Sequence, residues 1–217
     1  MFSFEEALVE GLNFIGGLVC HQMPERTLRM GGRLLCVCAR DTGIYLGLLV
    51  GLSLIPMRRR GASGPPNLYI TLAMILPMVV DGTTQAIGLR TSMNQLRLIT
   101  GLLFGTAMSP FLVYLLPTLP LSRKLPIIRA FIPPEVRLDD KRSWLPLHTL
   151  ALGMGIDLAV LWIVGSVAGS SDQLLYWLFS FLILASLVLT IFLMPVLLVL
   201  SGLTYVKERF GISRCRP

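Results

Sequence analysis

The sequence predicts an all-α polytopic membrane helix bundle, with about five transmembrane helices plus a short N-terminal re-entrant or interfacial helix. Three observations carry this. Of 217 residues, 54% are hydrophobic and only 14% charged, where a soluble domain carries roughly 25% charged residues. Apolar runs recur at the length of roughly 20 residues that a helix needs to cross a hydrocarbon core about 30 Å thick. The basic residues behind the net charge of +7 cluster between those runs. This composition excludes a soluble globular enzyme, and it excludes a disordered tail, which needs low hydrophobicity and dense charge. Charge placed between apolar runs points to membrane lipid and not to nucleic acid as the partner.

The expected spans run over residues 42–57, 67–89, 97–116, 147–168 and 173–206. The first is short and stops at Arg58-Arg59-Arg60; the last exceeds what a bilayer requires and so tilts, protrudes or kinks at Pro195. Residues 7–19 are apolar but too few for a crossing and follow Glu5 and Glu6, without the basic start of a secretory signal. Residues 117–146 hold Pro120, Pro126, Pro133 and Pro134 and read as a basic linker on the membrane surface. We take 1–217 as a single membrane domain: a motif-bearing half at 10–110, the linker, and two further helices at 147–206.

Short cytoplasmic loops collect Lys and Arg. On that rule Arg58 to Arg60, the linker and the tail from Lys207 onward share the cytoplasmic side, so the chain is a multi-pass cell-membrane protein with a cytoplasmic C-terminus. The segment with Cys20, Cys36 and Cys38 then faces outward. Gly43, Gly47 and Gly51 in the first span, and Gly101 and Gly105 in the third, have the small-xxx-small spacing of close helix contact, within this chain, with a second copy or with a partner subunit. Ser92 and Gln95 have capping-box spacing at the start of the third span, which makes spans two and three a tight hairpin.

Ionisable residues inside a bilayer cost at least about 2.5 kcal/mol each and usually face the bundle interior. Asp81 shares one helical face with Thr84, Gln85 and Gly88. At 1.5 Å per residue it lies about 15 Å deep, with Gln85 at about 9 Å, level with Arg97 on the returning helix. Either an Asp81–Arg97 ion pair fixes the hairpin, or Asp81, Gln85, Arg90, Asn94 and Arg97 line a polar cavity. Asp157, near the middle of the fourth span, reads as a protonated, hydrogen-bonded acid or a proton carrier.

Cys20, His21, Cys38 and Asp41 offer two thiols, an imidazole and a carboxylate, the donor types of a zinc site. A disulfide from Cys20 to Cys36 or Cys38, or free buried thiols, are the structural alternatives. Arg26, Arg29 and Arg33 would form one helical stripe for lipid phosphate, provided Gly31-Gly32 does not break the turn.

The words Cys20-His21-Gln22-Met23-Pro24-Glu25-Arg26, Cys38-Ala39-Arg40-Asp41-Thr42-Gly43 and Asp81-Gly82-Thr83-Thr84-Gln85, with Gly88 to Arg97 after them, resemble the prokaryotic membrane family catalogued as domain of unknown function 2085. The resemblance covers about residues 10–110. Where that family usually carries a second Cys, this chain has Asp41, which the metal reading tolerates better than the disulfide does. The resemblance implies a site but no activity.

Three functions compete. The first is a zinc-dependent enzyme acting on a lipid-type or lipid-linked anionic substrate, with Cys20, His21, Cys38 and Asp41 on the metal, Arg26, Arg40, Arg90 and Asn94 on the substrate, and Asp81, Gln85 and Arg97 as catalytic groups. The second is a proton-coupled transporter using Asp81 and Asp157. The third is a structural or accessory subunit with a metal or thiol staple.

Overall fold

The computed structural model describes residues 4–57, 64–115, 142, 145, 147–193, 195 and 199. Among the described residues, six α-helices and one hairpin follow in order: α1 (Phe4–Gly17), β1 (Thr27–Met30), β2 (Arg33–Cys38), α2 (Ala39–Ser53), α3 (Leu68–Ala86), α4 (Asn94–Leu115), α5 (Leu147–Val167) and α6 (Gln173–Leu187). The linker expected at 117–146 lies outside the described residues, apart from Arg142 and Leu145, as does the tail with Cys215.

Among the described residues, three helices are long and apolar enough to cross a membrane, each within an expected span: Leu68–Ala86, Leu147–Val167 and Gln173–Ile191. The other two expected spans correspond to α2 and α4. α2 has only 15 residues, about 22 Å of helix. α4 has 22 residues and turns Arg97, Thr100, Thr106 and Ser109 into the bundle interior. Instead of facing lipid, α2 and α4 form the central pair. α3 packs against α4, while α5 and α6 pack on α4 and α2 respectively.

The central pair rests on its glycines. A Cβ added at Gly101 would run into the Arg40 carbonyl, at Gly105 into the Ile44 carbonyl, and at Gly47 into the Leu102 carbonyl. Backbone therefore lies against backbone, the arrangement that lets helices associate where lipid removes any hydrophobic preference. Hydroxyls add interhelical bonds: Thr106 to the Gly47 carbonyl at 3.0 Å, and Ser186 of α6 to the Tyr45 carbonyl at 2.9 Å.

Asp157, 4% exposed, meets Thr106 Oγ1 at 2.8 Å. One hydroxyl has one proton. If Thr106 gives it to Gly47, the carboxyl must be the donor in the other bond, so a neutral Asp157 satisfies both and leaves no lone charge among the helices.

The ends of the helices are set by ordinary signals. Asn67 caps α3 by accepting from the Ile70 amide, and Asp172 caps α6 by accepting from the Leu174 amide. Gly88 and Gly169 take φ of 74° and 86° just past α3 and α5, the left-handed stop that glycine adopts without strain. The capping box expected at Ser92 is not formed. α4 begins at Asn94, and Ser92 is buried beside Asp81.

α1 has 14 residues and packs on β2, in keeping with a short non-crossing helix. The arginine stripe expected across Arg26, Arg29 and Arg33 is absent, because Gly31 and Gly32, both at positive φ, turn the chain into the β1–β2 hairpin. Arg33 instead pairs with Glu5 at 2.9 Å and lies over the Tyr176 ring. The hairpin closes one end of the bundle. Gly169 donates to the Arg29 carbonyl at 2.8 Å, which ties β1 to the α5–α6 turn.

Gly105→Ala forces a methyl into the Ile44 carbonyl and should destabilise the protein by about 1–3 kcal/mol, the usual cost of overpacking. Thermal unfolding in detergent measures it, with Gly155→Ala, whose added Cβ meets nothing within 4 Å, as the neutral comparison.

Candidate functional site

At the hairpin end, β2 runs into α2 through Cys38, so the first turn of α2 carries Cys38, Arg40 and Asp41 within four residues. The ligand atoms of Cys20, Cys38 and Asp41 lie within 4.8 Å of one another. His21 is exposed and stands outside this group, contrary to the four-residue set expected from sequence. Cys20, Cys36 and Cys38 are all free thiols. Cys36 belongs to the hydrophobic core, where burial pushes its thiol up to about 11.

Cys20 is the polarised sulfur. It accepts the Cys38 amide at 3.2 Å and the Gln22 amide at 3.4 Å. The Cys38 thiol beside it, helped by these amides and opposed by burial, holds Cys20 below the usual cysteine range. Cys38 is pushed up by Cys20 and by burial, and its sulfur donates to Asp41 Oδ2 at 3.1 Å. Two sulfurs and one carboxylate oxygen make a three-ligand set, and catalytic zinc sites characteristically use three protein ligands and leave a fourth position open.

Gln22 has no signature in the sequence, yet it holds this corner together. It adopts φ of 49°, a left-handed conformation that costs a non-glycine residue roughly 1 kcal/mol or more. Its side-chain amide donates at 2.7 Å to the carbonyls of both Asn13 and Cys36, joining α1 to β2 across the Cys20 turn.

Beside the thiols lies the guanidinium cluster. Asp81, 1% exposed, pairs with Arg40 and with Arg90, one arginine to each carboxylate oxygen. Arg40 also donates to Gln85 at 3.2 Å, and Arg90 to Thr84 at 3.1 Å. The Asp81–Arg97 pair expected from depth alone is therefore replaced. Arg40 enters from α2, which the glycine seam sets against α4 beside α3. Arg97 donates to Asn94 at 2.9 Å, and Asn94 in turn donates to the Glu25 carbonyl at 3.1 Å. Arg97 is 6% exposed, its Nε has no partner, and its charged neighbours are Arg26, Arg40 and Asp81, with the Cys38 thiol close by. The thiol group and the arginine cluster thus share one end of the bundle.

Two outcomes follow. Asp81→Ala leaves two guanidiniums without their anion. The loss should be about 2–3 kcal/mol, below the 3–5 typical of a fully buried pair because water still reaches Arg90, and the shift in unfolding temperature reads it. In chelator-treated protein, alkylation among Cys20, Cys36 and Cys38 should take Cys20 first, with its rate midpoint below that of an ordinary thiol, while Cys36 stays unmodified until the pH nears about 11. The sign is that of a lowered group: its stabilisation is present above the ordinary thiol value and is lost as pH falls through the lowered one.

The sequence matches the family described as predicted membrane protein (DUF2085) over residues 20–111, a stretch that contains both groups. An uncharacterized protein of Methanocaldococcus jannaschii is 45% identical over 101 residues, covering 46% of this chain and 63% of that protein, so the chain spans less than two thirds of it. An uncharacterized protein of Methanothermobacter thermautotrophicus is 38% identical over 94 residues, covering 42% of this chain and 81% of that protein. No solved structure matches. With the motif words in order and most of the second relative covered, the chain belongs to the DUF2085 family of predicted membrane proteins.

Proposed function

We propose that the protein is a membrane enzyme whose site binds a metal ion, zinc by its donor set, through Cys20, Cys38 and Asp41, and holds the anionic group of a lipid-type or lipid-linked substrate on the neighbouring arginines. The observation that supports it most is Arg97. A guanidinium this buried, bonded to one neutral amide and flanked by Arg26 and Arg40, has Asp81 as its nearby carboxylate, and both oxygens of Asp81 are already taken by Arg40 and Arg90. An anion brought there would take up the free Nε and offset the repulsion.

In this reading Asp81 is a positioning residue. Both its oxygens are engaged, so it aims Arg40 and Arg90, and Gln85 and Asn94 orient the guanidiniums next to them. A bound metal would supply Lewis acidity beside the anion. α2 and α4 also cross the membrane in this reading, bringing the spans to five, and the site opens on the outer face with the C-terminus cytoplasmic. His21, exposed and next in sequence to Cys20, would be the further donor if the metal takes a fourth protein ligand. A transporter would instead run through Asp157, whose second carboxylate oxygen has no partner.

The test is elemental analysis of purified protein together with inorganic phosphate binding. The reading expects stoichiometric zinc that Cys38→Ala removes, and phosphate binding that Arg97→Gln weakens by about tenfold, the worth of one charge-assisted bond. Wild-type protein that takes up no metal and no phosphate overturns it. Proteoliposome flux abolished by Asp157→Asn would favour the transporter.

A further inference from the structure

A cavity of about 470 Å³ lies between α4 and α5. Its wall includes Leu28, Gln95, Leu98, Leu161, Trp162 and Gly165. That size falls inside the range of about 300–1,000 Å³ typical of small-molecule sites. Its chemistry is that of a hydrocarbon slot, since only Gln95, Ser166 and the indole nitrogen of Trp162 bring polar side-chain atoms to a lining that is otherwise Leu, Ile, Val, Ala and Gly. It also has open space where a larger side chain would close it, because a Cβ added at Gly165 meets nothing within 4 Å.

The slot and the arginine site are joined through one short segment. Glu25 takes the Asn94 amide on its carbonyl, Arg26 is a charged neighbour of Arg97, and Leu28 lines the slot. On α4 itself, Gln95 and Leu98 of the slot flank Arg97 in sequence, so the two sites occupy different faces of the same first two turns. The N-terminal end of α4 adds the partial positive charge of its unpaired amides. Trp162, 74% exposed about five residues from the end of α5, has the location of a residue that rests at a membrane interface. An anion-binding end thus leads, over the rim of α4, into an apolar slot open to lipid.

We infer that this slot holds the hydrocarbon chain of a phosphate-bearing amphiphile whose phosphate sits on Arg97 and its neighbours. The inference rests on the anion reading above and adds the second half of the ligand. It explains why the apolar and cationic features share the first turns of α4, which anion binding alone does not require.

Binding of oleoyl lysophosphatidic acid and of glycerol phosphate to the full chain in detergent separates the possibilities. Wild-type protein should bind the oleoyl compound at least about tenfold more tightly, since burying a few methylenes is worth that much. Gly165→Trp, and the milder Gly165→Leu, fill the slot and should erase most of that preference, with wild-type unfolding temperatures showing that the fold is kept. A preference that survives both substitutions in folded protein overturns the slot, because the chain then lies elsewhere or only in the micelle. Equal affinity of the wild type for the two compounds also overturns it, but leaves the anion reading standing. If neither compound binds, the anion reading fails and the slot inference falls with it.

Discussion

Everything at the hairpin end depends on how closely α2 approaches α4. Side chains at Gly43, Gly47, Gly101 or Gly105 would each meet a facing backbone, so the separation is fixed by peptide against peptide with nothing between. This approach fixes the site. Arg40 lies one turn before Gly43 on α2, and its carbonyl is what a side chain at Gly101 would strike. Moving the seam by one side-chain layer would carry Arg40 away from Asp81 and shift Cys38 and Asp41 from Cys20. Close helix packing, often a matter of stability alone, is here also what aligns the ligands.

The charge arrangement follows from that geometry and from solvent. Asp81 is nearly sealed from water, so it needs cationic partners, and Arg40 and Arg90 supply them while keeping partial exposure of their own. Two arginines on one carboxylate leave net positive charge, and Arg26 and Arg97 add to it. On the thiol side the sign is opposite, with a lowered Cys20 and the Asp41 carboxylate. Positive and negative halves are thus adjacent, and Arg40 and Asp41, successive residues of one helical turn, belong one to each.

Much of this was legible in the sequence, and the failures share a cause. The helical membrane class, the glycine stripes and the pairing of Cys38 with Asp41 come from local spacing, while Cys20, 18 residues away and expected together with His21, joins them through the hairpin and His21 does not. The partner of Asp81 was missed, because depth along a hairpin ranks Arg97 well but says nothing of a third helix. Arg40 reaches Asp81 only because α2 is drawn in by its glycines. The arginine stripe failed for a related reason. Its helical spacing was read through Gly31-Gly32, and two residues free to adopt positive φ turned a helix face into a two-stranded hairpin. Gln22 could not have been found by residue type, since its importance lies in a left-handed backbone and two carbonyls 9 and 14 residues away.

The same seam carries a second polar feature far from the thiols, and the two constrain each other. Thr106 donates to the Gly47 carbonyl, at the level where Gly47 meets Leu102, and also meets Asp157 from α5. The α2–α4 pair is therefore pinned to α5 by a carboxyl that is best neutral, while at the hairpin end the pair is pinned to α3 by a carboxylate that must be charged to hold two arginines. Asp157 meets the Thr106 hydroxyl, with no cation among its hydrogen-bond partners, whereas a neutral acid at Asp81 would strand Arg40 and Arg90. Two aspartates, one held by a hydroxyl and one by two guanidiniums, thus fasten the bundle at its two levels, and the helix pair between them keeps the spacing on which both depend.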